Sequence, residues 1–169
     1  MNHLLLSNRQ RSHPINSVLL RRVASTLVAE ILHLPGYEVG IRLVAAAEMK
    51  RLNRTYLQHE GHTDVITFNY GTDGRKRIHG DIVICVDAAV RQARRFHTEF
   101  PLELARYLIH GMLHLLGYDD SRPGLRRVLK REENRLLRLL SRRFDLSRLT
   151  HSNPPLKSAK KSARCSSFP

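Results

Sequence analysis

Hydrophobic and polar positions recur along this chain with two periods, one near 3.6 and one near 2, and together they mark out its elements. An apolar run, HLLL, near the start reads as a short strand. Residues 15–34 then set Val18, Leu19, Val23, Leu27, Val28, Ile31 and Leu32 at helical spacing, with Asn16 or Ser17 to cap the start and Pro35-Gly36 to stop it. YEVGIRLVA alternates as a strand does, and residues 47–58 return to helical spacing through Met49, Leu52 and Tyr56. The stretch 63–70, TDVITFNY, is rich in β-branched and aromatic residues and predicts another strand. GTDGRKRIHG has turn chemistry, either a hairpin or a crossover loop. DIVICVD is almost continuously apolar, the pattern of a strand buried on both faces. Three helical stretches follow: DAAVRQARRFHTEF, PLELARYLIHGMLHLL and GLRRVLKREENRLLRLLSRRF. Pro101 falls in the first turn of the middle one, and Gly117 lies just past its end.

The predicted order, β-α-β-α-β-β-α-α-α, is that of an α+β or α/β fold in which helices pack on a small mixed sheet. From about residue 151 the periodicity stops. HSNPPLKSAKKSARCSSFP reads as a disordered basic tail behind a single domain spanning 1–150. With 41% hydrophobic and 26% charged residues over 169 positions, the chain has the composition of an ordinary globular domain with a core of its own. Every apolar run is broken well before the length of a membrane span, and the N-terminal one is too short for a signal-peptide core, so a cytoplasmic location is expected. Cys85, inside a strand-like run, and Cys165, in the tail, form neither a disulfide framework nor a thiolate metal site.

Charge alters this picture. Lys and Arg outnumber Asp and Glu by 29 to 15, a formal net charge of +14. Such a surface attracts polyanions, and the excess is mostly arginine, whose planar fork suits phosphate oxygens. Nucleic acid is the expected partner. Without tryptophan or an aromatic RNA-binding motif, base stacking is not indicated as the main mode of recognition.

The candidate chemistry lies in HGMLHLLGYDD, residues 110–120. On a helix, His110 and His114 share a face about 6 Å apart along the axis, and both imidazoles can reach one tetrahedral ion. Gly117 can take the left-handed conformation that ends the helix and returns the chain, bringing Tyr118–Asp120 toward the histidines. A third ligand from that return completes a three-ligand site with an open position. With ten histidines in the chain, a pair four apart is expected about 0.6 times by chance. Requiring glycine three later, and a metal-ligating residue three after that, lowers the expectation to roughly 0.005. Two histidines on so apolar a helix could instead be satisfied core residues, but burying unpartnered imidazoles is costly.

The spacing His-x-x-x-His-x-x-Gly-x-x-Asp resembles the zinc-binding stretch of the metzincin proteases, which carry a general-base Glu directly after the first His. Here that position is Gly111, which argues against proteolysis. A closer resemblance covers most of the domain. HGMLHLLGYDD is similar to the signature of the YbeY family of rRNA-maturation endoribonucleases, His-Gly-x-Leu-His-Leu-x-Gly-Tyr-Asp-His. LNRTYLQHEGHTDVITF and GDIVICVDAAVRQA match two further blocks of that family, in the right order.

The resemblance implies a small α/β fold with one Zn²⁺ per chain. It also implies single-strand-specific cleavage in maturation of small-subunit (16S) ribosomal RNA and ribosome quality control. The partners it implies are ribosomal RNA and the small ribosomal subunit, with ribosomal proteins or a ribosome-assembly GTPase. Two positions depart from the family. Asp120 replaces its third metal histidine, so His110, His114 and Asp120 become the expected ligands; Asp119 matches the family's own turn aspartate. Carboxylate ligation leaves zinc a weaker Lewis acid than a third imidazole would. Leu57 stands in place of an arginine associated with catalysis, and Arg54, one turn earlier, is the candidate substitute. His59, His62, His79 and His97 read as solvated loop residues, Thr63 and Asp64 as shaping the turn into a strand, and Asp81 as orienting the strand-to-helix region or a backbone amide. The rival reading is a non-enzymatic, zinc-stabilised, ribosome-associated RNA-binding factor. A third is a metal hydrolase of small substrates, which leaves the charge without a purpose.

Overall fold

The computed structural model describes residues 2–57, 63–71 and 77–150. Strand β1 (Asn2–Asn8) leads to helix α1 (Ser17–Thr26), which widens into one π turn over Leu27–Ile31. Strand β2 (Tyr37–Val44), helix α2 (Ala46–Leu57) and strands β3 (Val65–Gly71) and β4 (Ile78–Cys85) follow. Helices α3 (Val86–Phe96), α4 (Phe100–Leu115) and α5 (Pro123–Arg143) complete the domain, with a closing 3₁₀ turn at Leu146–Thr150. The sheet order is β1-β2-β4-β3, parallel except for the β3–β4 pair. The expected mixed sheet packed with helices is therefore the architecture found. His59, His62 and the tail from 151 lie outside the described residues.

Local chemistry explains the boundaries. The Asn16 side chain accepts from Leu19 N at 3.0 Å and caps α1. Leu32 N donates to Leu27 O at 2.9 Å, closing the π turn, and His33 takes a left-handed φ of 49°. The first helix thus stops before Pro35-Gly36. Of the stretch read as a turn, 71–80, residues 72–76 lie outside the described residues, while Gly71 closes β3 and β4 already begins at Ile78. Ile78 is buried and pairs in register with Tyr37, so its side chain belongs to the core. Gly80 is a packing position rather than a turn position: a Cβ there would collide with the Phe68 carbonyl and lie 2.7 Å from Leu115 Cδ2. His79 accordingly sits on a strand, exposed, with its ring against Tyr70.

Alternation along β3 and β4 gives the sheet two different faces. Gly80, Ile82 and Ile84, paired with Asn69, Thr67 and Val65, lie on the face that carries α4. Phe68 and Asp81 lie on the other face, where Tyr56 of α2 packs edge-on against Phe68 at 5.2 Å between ring centroids. Asp81 accepts from the Tyr70 hydroxyl at 3.0 Å, in mid-strand. The carboxylate that holds a backbone amide at the strand-to-helix region is Asp87, which accepts from Ala46 N at 2.7 Å. Ile82 to Cys85 are all buried, as the apolar run predicts.

Helix α4 is the centre of the molecule. Leu104, Leu108, Ile109, Met112 and Leu113 are fully buried between the sheet and the flanking α3 and α5. Burying one such leucine removes about 1.5–3 kcal/mol worth of apolar surface from water, so this helix is held at a fixed height on the sheet. That rigidity positions the chemistry at its C-terminal end. Among the described residues, no helix is long and apolar enough to cross a membrane.

Candidate active site

The two histidines face one point. On α4, His110 Nε2 and His114 Nε2 are 2.9 Å apart, with ring centroids 4.4 Å apart. Gly117, at φ +91°, stops the helix, and Gly117 N and Tyr118 N close on the carbonyls of His114 and Leu113 at 2.9 and 3.0 Å. The returning chain carries Asp120 Oδ2 to 3.9 Å from His114 Nε2. One ligating atom from each of His110, His114 and Asp120 lies within 4.8 Å of the others, so the cluster could hold a metal ion. Asp119 is engaged elsewhere: its carboxylate accepts from Ser121 N at 2.9 Å and Ser121 Oγ at 2.6 Å, which holds its pKa below the usual range.

Glu133 of α5 sets the direction of His110. Its Oε1 lies 2.6 Å from His110 Nδ1, and an ionised carboxylate can only accept, so Nδ1 carries the proton and Nε2 turns its lone pair toward His114. A carboxylate behind a ring nitrogen is the usual outer support of an imidazole that binds metal. Burial and the neighbouring His110 lower the pKa of His114, against opposing pulls from Asp120, the Tyr118 backbone and Glu133. The neutral, ligand-competent form is therefore favoured. Two imidazoles on one tetrahedral zinc ion hold their nitrogens about 3.3 Å apart at ordinary Zn–N lengths, so the 2.9 Å observed needs only a small opening. The donor set of two nitrogens and one carboxylate oxygen fits zinc.

His110 and Asp120 open onto a cleft of about 400 Å³. Arg106, Arg126 and Lys130 bring positive charge to its wall, and Thr63, Asp64, Tyr107 and Glu133 line the same space. Tyr107 donates its hydroxyl to Asp64 Oδ2 at 3.1 Å, and burial, followed by the Asp64 charge, pushes its pKa far up. Asp64 O in turn accepts from Cys85 N at 2.9 Å, so Asp64 does shape the entry to β3 and also borders the cleft. Arg54 and Leu57 are exposed on α2, which packs on the other face of the sheet, and neither lines this cleft. His97 caps α3 in a left-handed conformation, exposed and outside the site.

Glu133, Arg106 and Tyr107 escaped the sequence reading. A signal for Glu133 was available: Leu129, Leu136 and Leu140 form the buried stripe of α5, and position 133 falls within it. A carboxylate at a core-facing position calls for a nearby donor. Arg106 stands one turn before His110, on the same face of α4.

The model of the family described as Endoribonuclease YbeY matches residues 5–141. The chain belongs to the YbeY family. An Endoribonuclease YbeY of Chlorobium luteolum is 37% identical over 139 residues, covering 82% of this chain and 98% of that one. One from Parabacteroides distasonis is 48% identical over 89 residues, 53% of this chain and 61% of its own. The solution structure of a Thermotoga maritima protein aligns with TM-score 0.60 at 24% identity, over 91% of this chain and 99% of that one, and shares the fold. As a YbeY member with the cluster described above, the chain joins the family's sequence to a metal-competent cleft lined by three cations and by the carboxylates of Asp64, Asp120 and Glu133.

Proposed function

We propose that this chain is a zinc-assisted endoribonuclease that cleaves single-stranded RNA, acting in the cytoplasm on small-subunit (16S) ribosomal RNA during its maturation and in ribosome quality control. The observation that carries the reading is the convergence of His110, His114 and Asp120 at a cleft walled by Arg106, Arg126 and Lys130. The curated relatives named Endoribonuclease YbeY support the reaction class. A zinc ion held by the three ligands would supply Lewis acidity toward a scissile phosphate.

The protein's own groups do the rest. Glu133 holds the His110 proton on Nδ1, which leaves Nε2 free as the ligating nitrogen. Arg106 is itself steadied, its Nη1 donating to Asn134 Oδ1 at 2.7 Å, and so offers a fixed guanidinium to a phosphate. Arg126 donates to the Asp120 carbonyl at 3.2 and 3.3 Å, which ties the ligand-bearing turn to α5. Lys130 adds an exposed ammonium. Cations placed around the scissile bond neutralise the backbone and hold it still while charge builds on the phosphate. The expected partners are ribosomal RNA and the small subunit, with ribosomal proteins or an assembly GTPase. Arg54 has a supporting role in this reading, on RNA outside the cleft, and unaltered cleavage by Arg54→Ala would remove it.

The test is cleavage of a labelled single-stranded RNA by protein purified without chelators. Activity that a chelator abolishes, zinc restores and His110→Ala lacks supports the proposal. Stoichiometric zinc and RNA binding without cleavage would instead favour a zinc-stabilised, non-enzymatic ribosome factor, the reading to which Leu57 in place of the family arginine lends weight.

A further inference from the structure

Helix α5 carries far more positive charge than the cleft uses. A second, shallower trough of about 650 Å³ runs along its outer side, lined by Pro123, Arg126, Arg127, Lys130, Arg131, Asn134 and Arg138. Five of its seven lining residues are cations and none is an acid, so the trough is complementary to a polyanion and to little else. All five cations are exposed. The helix's own acids are committed elsewhere: Glu132 to Arg135 Nε at 2.9 Å, and Glu133 to His110. Among the described residues, Arg127, Lys130, Arg131 and Arg138 have no ion-pair partner. Arg127 and Arg131 are also like charges four apart on one helix, as are Arg126 and Lys130. That arrangement works against the isolated helix and is relieved by a bound anion.

The trough is continuous with the cleft. Arg126 and Lys130 line both, and Asn134 of the trough accepts from Arg106 of the cleft. From Arg126 to Arg138 the helix rises about 18 Å. At the roughly 3.4 Å rise of a stacked strand, that accommodates about five nucleotides.

We propose that this face of α5 is an extended exosite for single-stranded RNA, on which the nucleotides flanking the cleaved bond lie along Arg127, Arg131 and Arg138. The proposal rests on the endoribonuclease reading for the direction in which the strand leaves the cleft, but RNA binding by the trough can be measured without cleavage. The test uses the full chain and a labelled 20-nucleotide single-stranded RNA, with fluorescence anisotropy read over a series of salt concentrations. The Arg127→Ala/Arg131→Ala variant removes two trough cations that do not line the cleft. Alanine favours helix, so α5 is retained, and circular dichroism checks this. Arg94→Ala/Arg95→Ala at the end of α3 removes equal charge elsewhere.

The trough variant should bind about tenfold more weakly, and its plot of log affinity against log salt should be shallower by about 1.4, two phosphates at 0.7 each. KM on a long RNA should rise while kcat is kept. Binding and salt slope equal to wild type, or an equal loss in the α3 variant, would overturn the exosite and leave the trough to an acidic protein partner. If the trough variant shows the predicted slope difference from wild type but zinc-loaded wild type cleaves no RNA, the exosite stands and the nuclease reading falls.

Discussion

Glu133→Gln separates orientation of a ligand from its presence. The substitution keeps the shape of the side chain at a residue that is 5% exposed, and exchanges the carboxylate charge for a neutral amide. The glutamine oxygen can still accept from His110 Nδ1, so the fold loses the difference between a charge-assisted and a neutral hydrogen bond, about 1 kcal/mol. Arg106 keeps Asn134 and gives up an ion pair at 3.8 Å. For a domain of this size the thermal midpoint should fall by about 2–4 °C. The metal site is expected to suffer more. Removing a carboxylate behind a ligating imidazole typically weakens metal binding 10–100-fold, or about 1.4–2.8 kcal/mol. Competition against a chromophoric zinc chelator, on protein stripped and reloaded, reads that quantity directly. Differential scanning calorimetry of the stripped protein reads the first. Zinc affinity within twofold of wild type, with the fold loss as predicted, would show that the 2.6 Å contact is structural and that the reasoning about His110 is wrong.

Three further outcomes follow from the geometry. Asp120→Ala should lose most of its zinc on elemental analysis while Asp119→Ala keeps it, because Ser121 holds the Asp119 carboxylate; the reverse result would reassign the third ligand. Gly111→Ala should cost about 1–3 kcal/mol in urea denaturation, because its Cβ would run into Ile82 Cγ2 and sit 3.3 Å from Val65 Cγ1; unchanged stability would contradict that packing. In a Cys165→Ser background, Cys85 should resist a thiol reagent at neutral pH until the chain is unfolded, since it is 1% exposed and burial pushes its pKa up; rapid labelling of the native protein would refute this.

The fold was legible where the apolar period was long. All nine strands and helices appear in the expected order, and the apolar runs of α4 and β4 became the most buried segments. What failed was local. Gly80 looks like turn chemistry in one dimension, yet it is glycine because Leu115 and the Phe68 backbone crowd it, a contact between residues far apart in the chain. The 3₁₀ turn at Leu146–Thr150 carries too few residues to show a period. In the site, the clustering of His110, His114 and Asp120 was readable because the three lie within eleven residues, on one helix and the turn that follows it. Glu133 is thirteen residues beyond Asp120 and meets His110 only once α5 folds back against α4. The cationic wall is likewise assembled from two helices, and net charge alone could not say which arginines would form it.

Gly111 also limits what descent can make of this centre. In the metzincin pattern the position after the first histidine supplies the base, but here it is pressed against Ile82 and Val65, with no room for even a methyl group. A single codon change to glutamate would put a carboxylate into the apolar seam between α4 and the sheet rather than into the cleft. The route from this scaffold to a peptidase is therefore closed at its first step, unless β4 and α4 move apart together. Innovation is steered instead to the exposed outer positions of α5 and to Asp119–Arg122, where the side chains lie outside the hydrophobic core. Lineages built on this frame should diversify in what they hold and where they cut, while the position after the first histidine stays small.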